Sequence, residues 1–140
     1  MMDSKKNQPE TRQVENPAND HKRAAVHFLE LVATGHIDEA YQKYAAKNGK
    51  HHNPYFGVGF TALQKGMQEN HDQFPNMQLS VKNVIGEGYL VAIHSHVVQT
   101  PGETGMAAVH IFRFQDDQIV EFWDCGEPVP TDSPNEDGMF

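Results

Sequence analysis

The spacing of apolar side chains changes near Pro75 and divides the chain into a helical part and a stranded part. Before this position apolar residues recur every three or four positions, which is the period of a helix with one buried face. After it they alternate with polar residues or form short apolar runs, as in strands. Helices followed by strands predict an α+β fold in a single domain.

Three helices are predicted, over residues 20–35, 37–46 and 60–73. Asp20 is a favourable N-terminal cap, and Gly35 suits the left-handed conformation that often ends a helix. Four strands follow, over residues 78–85, 89–100, 104–115 and 118–125. Short turns between the strands predict an antiparallel meander. We expect a cone-shaped, curved sheet that packs on the helices and encloses a pocket.

The two ends of the chain differ in composition from the middle. Residues 1–18 are polar, and residues 129–140 are acidic with few apolar side chains. Such segments bury too little apolar surface to offset the entropy cost of ordering. We therefore expect a disordered arm, a folded domain over residues 19–128 and an acidic tail. The tail either keeps the protein soluble or folds over the pocket mouth through Met139 and Phe140.

Composition excludes several classes of function. Nineteen acidic and 11 basic residues give a formal net charge of −8, and no cluster of Lys and Arg suggests nucleic-acid binding. No apolar run is long enough to cross a membrane, and the polar start lacks the core of a signal peptide. Cys125 is the only cysteine, so no intramolecular disulfide forms. We expect a cytoplasmic protein that binds neither nucleic acid nor membranes.

A histidine within an apolar strand marks the candidate site. A buried imidazole needs a hydrogen-bond partner, a ligand or a route to water, and His110 lies in an apolar run. A three-residue loop at residues 101–103 would set His94 directly opposite His110. His96 would then share their face, because side chains two residues apart on a strand point the same way. This register predicts a patch of three imidazoles.

The turn at Asp116 and Asp117 extends this register to the last strand and sets His110 opposite Trp123. The pocket face then also carries Phe112, Phe114, Ile119 and Glu121. The outer face carries Val109, Ile111, Arg113, Val120 and Phe122. The outer face is too apolar for contact with water, so we expect a homodimer that forms through it.

A second group of polar residues follows the second predicted helix. His52 and Asn53 precede Pro54, which forces Asn53 into an extended conformation. The segment is either a plain turn or a loop that directs both side chains into the mouth of the sheet. In the second case they would bind a carbonyl or hydroxyl group of a substrate.

Three interpretations of the histidines stay open. In the first they are interior side chains with hydrogen-bond partners. In the second His110 moves a proton on a substrate, with Glu121 or Asp124 nearby. In the third a metal ion is bound by His94, His96 and His110. We favour the second, because carboxylates that would orient metal-binding imidazoles cannot be assigned from sequence. We therefore expect no cofactor.

The order of these motifs resembles the SnoaL-like polyketide cyclase family, within the nuclear-transport-factor-two-like superfamily of cone-shaped α+β folds. The resemblance covers about residues 20–128. It rests on His52-Asn-Pro54, the helix with Phe60, His94-x-His96, Ile111-Phe-Arg113 and the strand over residues 119–124. The family implies a cofactor-free pocket for a small hydrophobic molecule, usually in a dimer. In its characterised cyclases an acidic side chain moves protons beside a carbonyl during an aldol condensation.

Two positions depart from the family pattern. His110 stands where the family typically has the Asp that acts as acid or base, and Phe122 stands where it typically has His. We predict a lyase or isomerase of this type, with a non-catalytic, dimeric ligand-binding module as the alternative. The predicted catalytic residues are His110, His94 and Asp124. The predicted substrate-binding residues are His52, Asn53, His96, Phe112, Glu121 and Trp123.

Overall fold

The computed structural model describes residues 17–140, so residues 1–16 of the predicted arm lie outside the described residues. The helices are α1 (Pro17–Ala33), α2 (Ile37–Tyr44) and α3 (Phe60–Gln73). The strands are β1 (Ala45–His51), β2 (Gln78–Glu87), β3 (Leu90–Val98), β4 (Met106–Gln115) and β5 (Gln118–Pro128). The α+β prediction is therefore confirmed, with helices first and the antiparallel meander β2 to β5 after them.

The strand β1 is an element that the sequence pattern did not predict. It contains little besides Ala and polar residues, and it forms one edge of a mixed, unclosed sheet with the order β1-β5-β4-β3-β2. It runs parallel to β5, and the backbone of His52 continues the pairing by donating to the carbonyl of Phe122 at 3.0 Å. Backbone hydrogen bonds hold this edge strand in place, and its sequence has no apolar alternation from which a strand could be predicted.

The core lies between the helices and one face of the sheet, which we call the inner face. Phe112 and Phe122 are buried there on neighbouring strands, and Phe28 of α1 meets Phe112 edge-on at 5.8 Å between ring centroids. Complete burial of one such ring stabilises the fold by roughly 1.5–3 kcal/mol. Within the described residues no helix combines the length and apolar character that crossing a membrane requires.

The pairing of β3 with β4 differs by one residue from the prediction. His110 pairs with Ile93, and His94 pairs with Val109. Because Ile93 is completely buried, His110 belongs to the inner face and His94 to the opposite, outer face. The predicted patch of three imidazoles is therefore wrong.

A longer loop causes this shift between β3 and β4. The loop covers residues 99–105 instead of the predicted residues 101–103. Gly105 lies at its end with φ of +76°. A Cβ atom at this position would collide with the carbonyl oxygen of Val97, so the close approach of the backbone requires glycine. The sequence pattern did not indicate that the strands end this early.

A bulge at Val120 changes the pairing of β4 with β5. Phe114 pairs with Ile119 as predicted, but Arg113 pairs with Glu121, which moves all later partners by one residue. A bulge of this kind reverses the face of each following side chain relative to the unbulged register. The predicted pairing of His110 with Trp123 is therefore wrong.

The bulge exchanges the faces of several predicted site residues. Phe122 enters the core with 1% exposure, whereas the predicted register put it outside. Glu121 and Trp123 pair with residues of the outer face, whereas the predicted register put them on the inner face. The predictions for Phe112, Phe114 and Ile119 are confirmed, since all three are buried on the inner face.

Candidate functional site

Four polar side chains are associated with the inner face, and we call them the inner cluster: Tyr41, Asn53, His110 and Asp124. His110 and Asp124 are direct partners across β4 and β5, so their Cβ atoms lie about 5 Å apart. Asn53 comes from the loop after β1, and Tyr41 comes from α2. Sheet, loop and helix thus bring together groups that are up to 83 residues apart in sequence.

Asn53 fixes the carboxylate of Asp124. Its side-chain amide donates a hydrogen bond to Asp124 Oδ2 at 2.9 Å, while its Oδ1 accepts one from the backbone N–H of Tyr55 at 2.9 Å. Its own backbone N–H donates to the ring nitrogen Nδ1 of His51 at 3.1 Å. The short segment is therefore both a turn and a support for the inner cluster.

His110 is held in its neutral form. Burial lowers the pKa of its imidazole from 6.5 to about 4, and the negative charge of Asp124 opposes this shift only in part. The ring stacks against Phe122 at 5.7 Å between centroids. Its Nδ1 is shielded from solvent and has no hydrogen-bond partner within residues 17–140. A neutral imidazole with one unpaired nitrogen can accept or donate a proton.

Tyr41 is a member of the inner cluster that the sequence pattern did not single out within the second predicted helix. Burial, and secondarily the charge of Asp124, raises the pKa of its hydroxyl well above the usual range, so the group stays protonated. The hydroxyl donates to the thioether sulfur of Met67 at 3.2 Å. A tyrosine within a buried stripe needs a partner for its hydroxyl, and this requirement was the available signal.

A cavity of about 260 Å³ lies between α1, α3 and the residue that follows β3. Val32, Leu63 and Met67 contribute to its walls. At its rim the side-chain amide of Gln99 donates to Asn70 Oδ1 at 3.0 Å. Met67 lines this cavity and also accepts the hydrogen bond from Tyr41, so its side chain contacts both the cavity and the inner cluster.

Three predicted substrate-binding residues meet on the outer face instead, with Arg113. We call this group the outer cluster: His52, Arg113, Glu121 and Trp123. Glu121 Oε1 accepts a hydrogen bond from Arg113 Nε at 3.0 Å and forms an ion pair with Arg113 Nη2 at 2.9 Å. His52 Nε2 lies 2.7 Å from Glu121 Oε2. The bond to His52 is the main cause that lowers the pKa of Glu121, and Arg113 acts in the same direction. The His52 ring stacks on Trp123 at 5.1 Å.

The remaining predicted site residues have structural partners. Phe112 is completely buried in the core, against Phe28 and Phe122. His94 Nδ1 lies 3.1 Å from the side-chain amide of Asn83, and His96 Nε2 lies 2.7 Å from the carbonyl oxygen of Thr104. Both imidazoles belong to the outer face, so the prediction that they share a site with His110 is wrong.

The C-terminal tail lies on the outer face of the sheet. The Phe140 ring packs against the rings of His94 at 5.5 Å and His96 at 4.5 Å, and Lys82 Nζ lies 5.5 Å from its centroid. Of the two alternatives for the tail, the one that folds it over the pocket mouth through Phe140 is therefore wrong.

The third interpretation of the histidines, as ligands of a metal ion, does not fit the structure, because His94 and His96 lie across the sheet from His110. In the described part of the chain, no group of three His, Cys, Asp or Glu side chains is arranged to hold an ion.

Comparisons with known proteins agree with this fold. The profile of the SnoaL-like domain matches residues 25–122. AclR, a candidate hydroxylase from Streptomyces galilaeus, has a similar structure with a TM-score of 0.66 and 21% identity, over 79% of this chain and 90% of that one. A candidate polyketide cyclase from Bacillus cereus has a TM-score of 0.67 and 20% identity, over 79% and 76%.

A third similar structure comes from Burkholderia xenovorans. This NTF2-like protein of unknown function has a TM-score of 0.67 and 18% identity, over 83% of this chain and 88% of that one. No curated protein sequence matches this chain significantly. At such identities the similar structures show the fold alone, which is the NTF2-like α+β fold.

Proposed function

Because this chain belongs to the SnoaL-like family, we propose that it binds a small hydrophobic carbonyl compound at the inner cluster and moves a proton beside the carbonyl group. The observation that carries the proposal is the pairing of His110 with Asp124 on the inner face. The unpaired, buried Nδ1 of His110 supports it, because the described residues supply no partner for that nitrogen. We also propose a cytoplasmic location, which the single cysteine favours.

In the proposed reaction His110 acts as the base. Its Nδ1 takes a proton from the carbon beside the carbonyl, and the electron pair of the broken C–H bond forms the double bond of an enolate. The carboxylate of Asp124 stabilises the imidazolium that results, and the hydroxyl of Tyr41 donates to the enolate oxygen in place of Met67.

The fate of the enolate decides the reaction class. Return of the proton from His110 to a different carbon makes the reaction an isomerisation. Attack of the enolate carbon on a second carbonyl group of the same molecule, whose oxygen then takes the proton from His110, makes it an aldol cyclisation. Both reactions use the same acid and base and need no cofactor, so they share the first step.

Two cavities bear on the size of the substrate. Tyr41 lines a cavity of about 620 Å³, within the range of about 300–1,000 Å³ for drug-sized ligands, and the cavity lined by Met67 has only about 260 Å³. Its walls are largely apolar, which favours a compact hydrophobic molecule. Met67 has a flexible side chain, and its movement would join the cavity to the inner cluster.

The low pKa of His110 favours a second candidate, a non-catalytic ligand-binding module. A base is most effective when its pKa lies near the working pH, and a pKa of about 4 makes the imidazole a weak base near neutrality. In this case His110 and Tyr41 would only donate or accept hydrogen bonds to a bound carbonyl compound.

Hydrogen exchange separates the two candidates. α-Tetralone, a compact bicyclic ketone, is incubated with the protein in D₂O, and loss of the proton signal beside its carbonyl is followed by NMR. A base of this kind contributes about 10²–10⁴-fold to the rate, so we expect His110→Gln to lose that factor. The exposed His36→Gln is the matched control. Binding without exchange above the buffer rate would identify the binding module, and equal exchange by His110→Gln would reject His110 as the base.

We further infer that the outer face forms a homodimer. Ile85 and Leu90 are 66% and 45% exposed at one side of this face, and Val109 and Ile111 lie between the tail contact and the outer cluster. An apolar surface of this kind on a sheet commonly pairs with its own copy about a two-fold axis.

A further inference from the structure

Ser95 is a polar residue in the interior that the proposed reaction does not use. Its side chain is 0% exposed on the inner face of β3, and its hydroxyl has no hydrogen-bond partner in the part of the chain that the structure describes. An unpaired buried hydroxyl destabilises a fold, so natural proteins contain few of them. A bound ligand that forms the missing hydrogen bond would explain why such a hydroxyl is present in the interior.

Ser95 lies next to the inner cluster. It pairs with Ala108, and His110 is two residues further along β4 on the same face. Ser95 and His110 are thus diagonal neighbours, with Cβ atoms about 7 Å apart. The two unpaired polar atoms, Ser95 Oγ and His110 Nδ1, therefore occupy one region of the inner face.

The charge of this region selects against anions. Among residues 17–140 every lysine except Lys22, near the start of α1, is exposed, and Arg113 lies on the outer face bound to Glu121. The charged side chain of the inner cluster is Asp124, which is negative and would repel a carboxylate or phosphate. A neutral ligand avoids this repulsion and still forms hydrogen bonds.

We propose that the substrate is a neutral hydroxyketone or dicarbonyl compound: Ser95 binds its second oxygen atom while His110 Nδ1 faces the carbon beside its carbonyl group. Ser95 is the residue that sets specificity, because its hydroxyl recognises an oxygen that a simple ketone lacks. The assignment rests on the proposed function for the role of His110 and extends it to the class of substrate. The ligand enters through the cavity bounded by Met67.

Calorimetric titration with three matched compounds tests this assignment. α-Tetralone offers one oxygen, 7-hydroxy-α-tetralone offers two that are too far apart to bond to each other, and naphthoate carries a negative charge. For Ser95→Ala we expect about tenfold weaker binding of the hydroxyketone and a change within about twofold for α-tetralone. Naphthoate should bind at least about tenfold more weakly than the hydroxyketone. The exposed Ser80→Ala is the matched control.

The melting temperature of the unliganded protein gives a second readout. Removal of an unpaired buried hydroxyl should raise the Tm in Ser95→Ala, whereas loss of a hydroxyl that is already hydrogen-bonded, for example to water, should lower it. Ser95→Cys keeps the size of the side chain with a weaker donor, and we expect it to bind the hydroxyketone less tightly than the wild type. A lower Tm in Ser95→Ala, or equal loss of affinity for both ketones, would overturn the assignment.

These outcomes are distinct from those of the exchange experiment. If exchange depends on His110 but Ser95→Ala binds all compounds like the wild type, only the assignment of Ser95 fails. If the wild type binds the hydroxyketone through Ser95 without any exchange, the proposed proton transfer fails and the two-oxygen site stands.

Discussion

His110 and Asp124 are direct cross-strand partners on the inner face of the sheet, and they owe this pairing to a one-residue bulge. Without the extra residue at Val120, His110 would face Trp123 and the carboxylate would point to the other side. The bulge therefore places a carboxylate opposite the proposed base and brings Phe122 into the core. Bulges are common next to active sites for this reason.

The pH dependence of stability tests the buried state of His110. Its pKa is 6.5 in the unfolded chain and about 4 in the folded one, so the unfolded chain binds the proton first as the pH falls. We expect the free energy of unfolding to decrease between pH 6.5 and pH 4, by at most about 3 kcal/mol from this residue. Urea unfolding across this range should show a flatter profile for His110→Gln, while His36→Gln keeps the slope. Parallel profiles for the wild type and His110→Gln would contradict the burial.

Removal of the support for Asp124 should cost stability. Asn53→Ala loses the hydrogen bond to the carboxylate and the one from the backbone of Tyr55. Bonds to charged groups contribute about 1.5–3 kcal/mol, so we expect a loss of about 2 kcal/mol in urea unfolding at neutral pH. Asn53→Asp should lose more, because it brings a second negative charge to the site. The exposed Asn76→Ala serves as the control, and a loss no larger than that of the control would show that the bond to Asp124 is weak.

The outer cluster should affect stability but not the chemistry. Glu121→Gln weakens the contacts with Arg113 and His52, and we expect a loss of about 1 kcal/mol, because the cluster is partly exposed. The rate of α-tetralone exchange should stay within about twofold of the wild type, because Glu121 lies on the opposite face from His110. A large loss of exchange in Glu121→Gln with intact folding would return this residue to the active site.

The proposed dimer can be tested by a charge in the middle of the outer face. Ile111→Asp places a carboxylate where two sheets would meet, and burial of an unpaired charge is costly. We expect light scattering at micromolar concentration to give the mass of a dimer for the wild type and of a monomer for Ile111→Asp. Lys65→Asp, an exposed change on α3, should stay dimeric. A monomeric wild type would reject the dimer.

The sequence by itself determined the layout of the fold and several members of the site. Apolar spacing identified three helices and the four strands of the meander, because buried faces impose their period on the residues. The position of His110 within an apolar strand identified it as a polar group that needs a hydrogen-bond partner or a ligand. Asn53 and Asp124 were also among the predicted site residues. All these conclusions depend on local chemistry, which a single segment of chain reveals.

The tertiary structure decided which of these residues meet. The edge strand β1 has no apolar alternation, and its pairing with β5 depends on backbone hydrogen bonds. The loop before Met106 and the bulge at Val120 each change a register by one residue, and side chains alternate between faces with a period of two. One residue therefore decides whether His110 faces His94 or Asp124. Tyr41 joins the cluster because α2 packs against the sheet, and the apolar spacing within one helix does not reveal such packing.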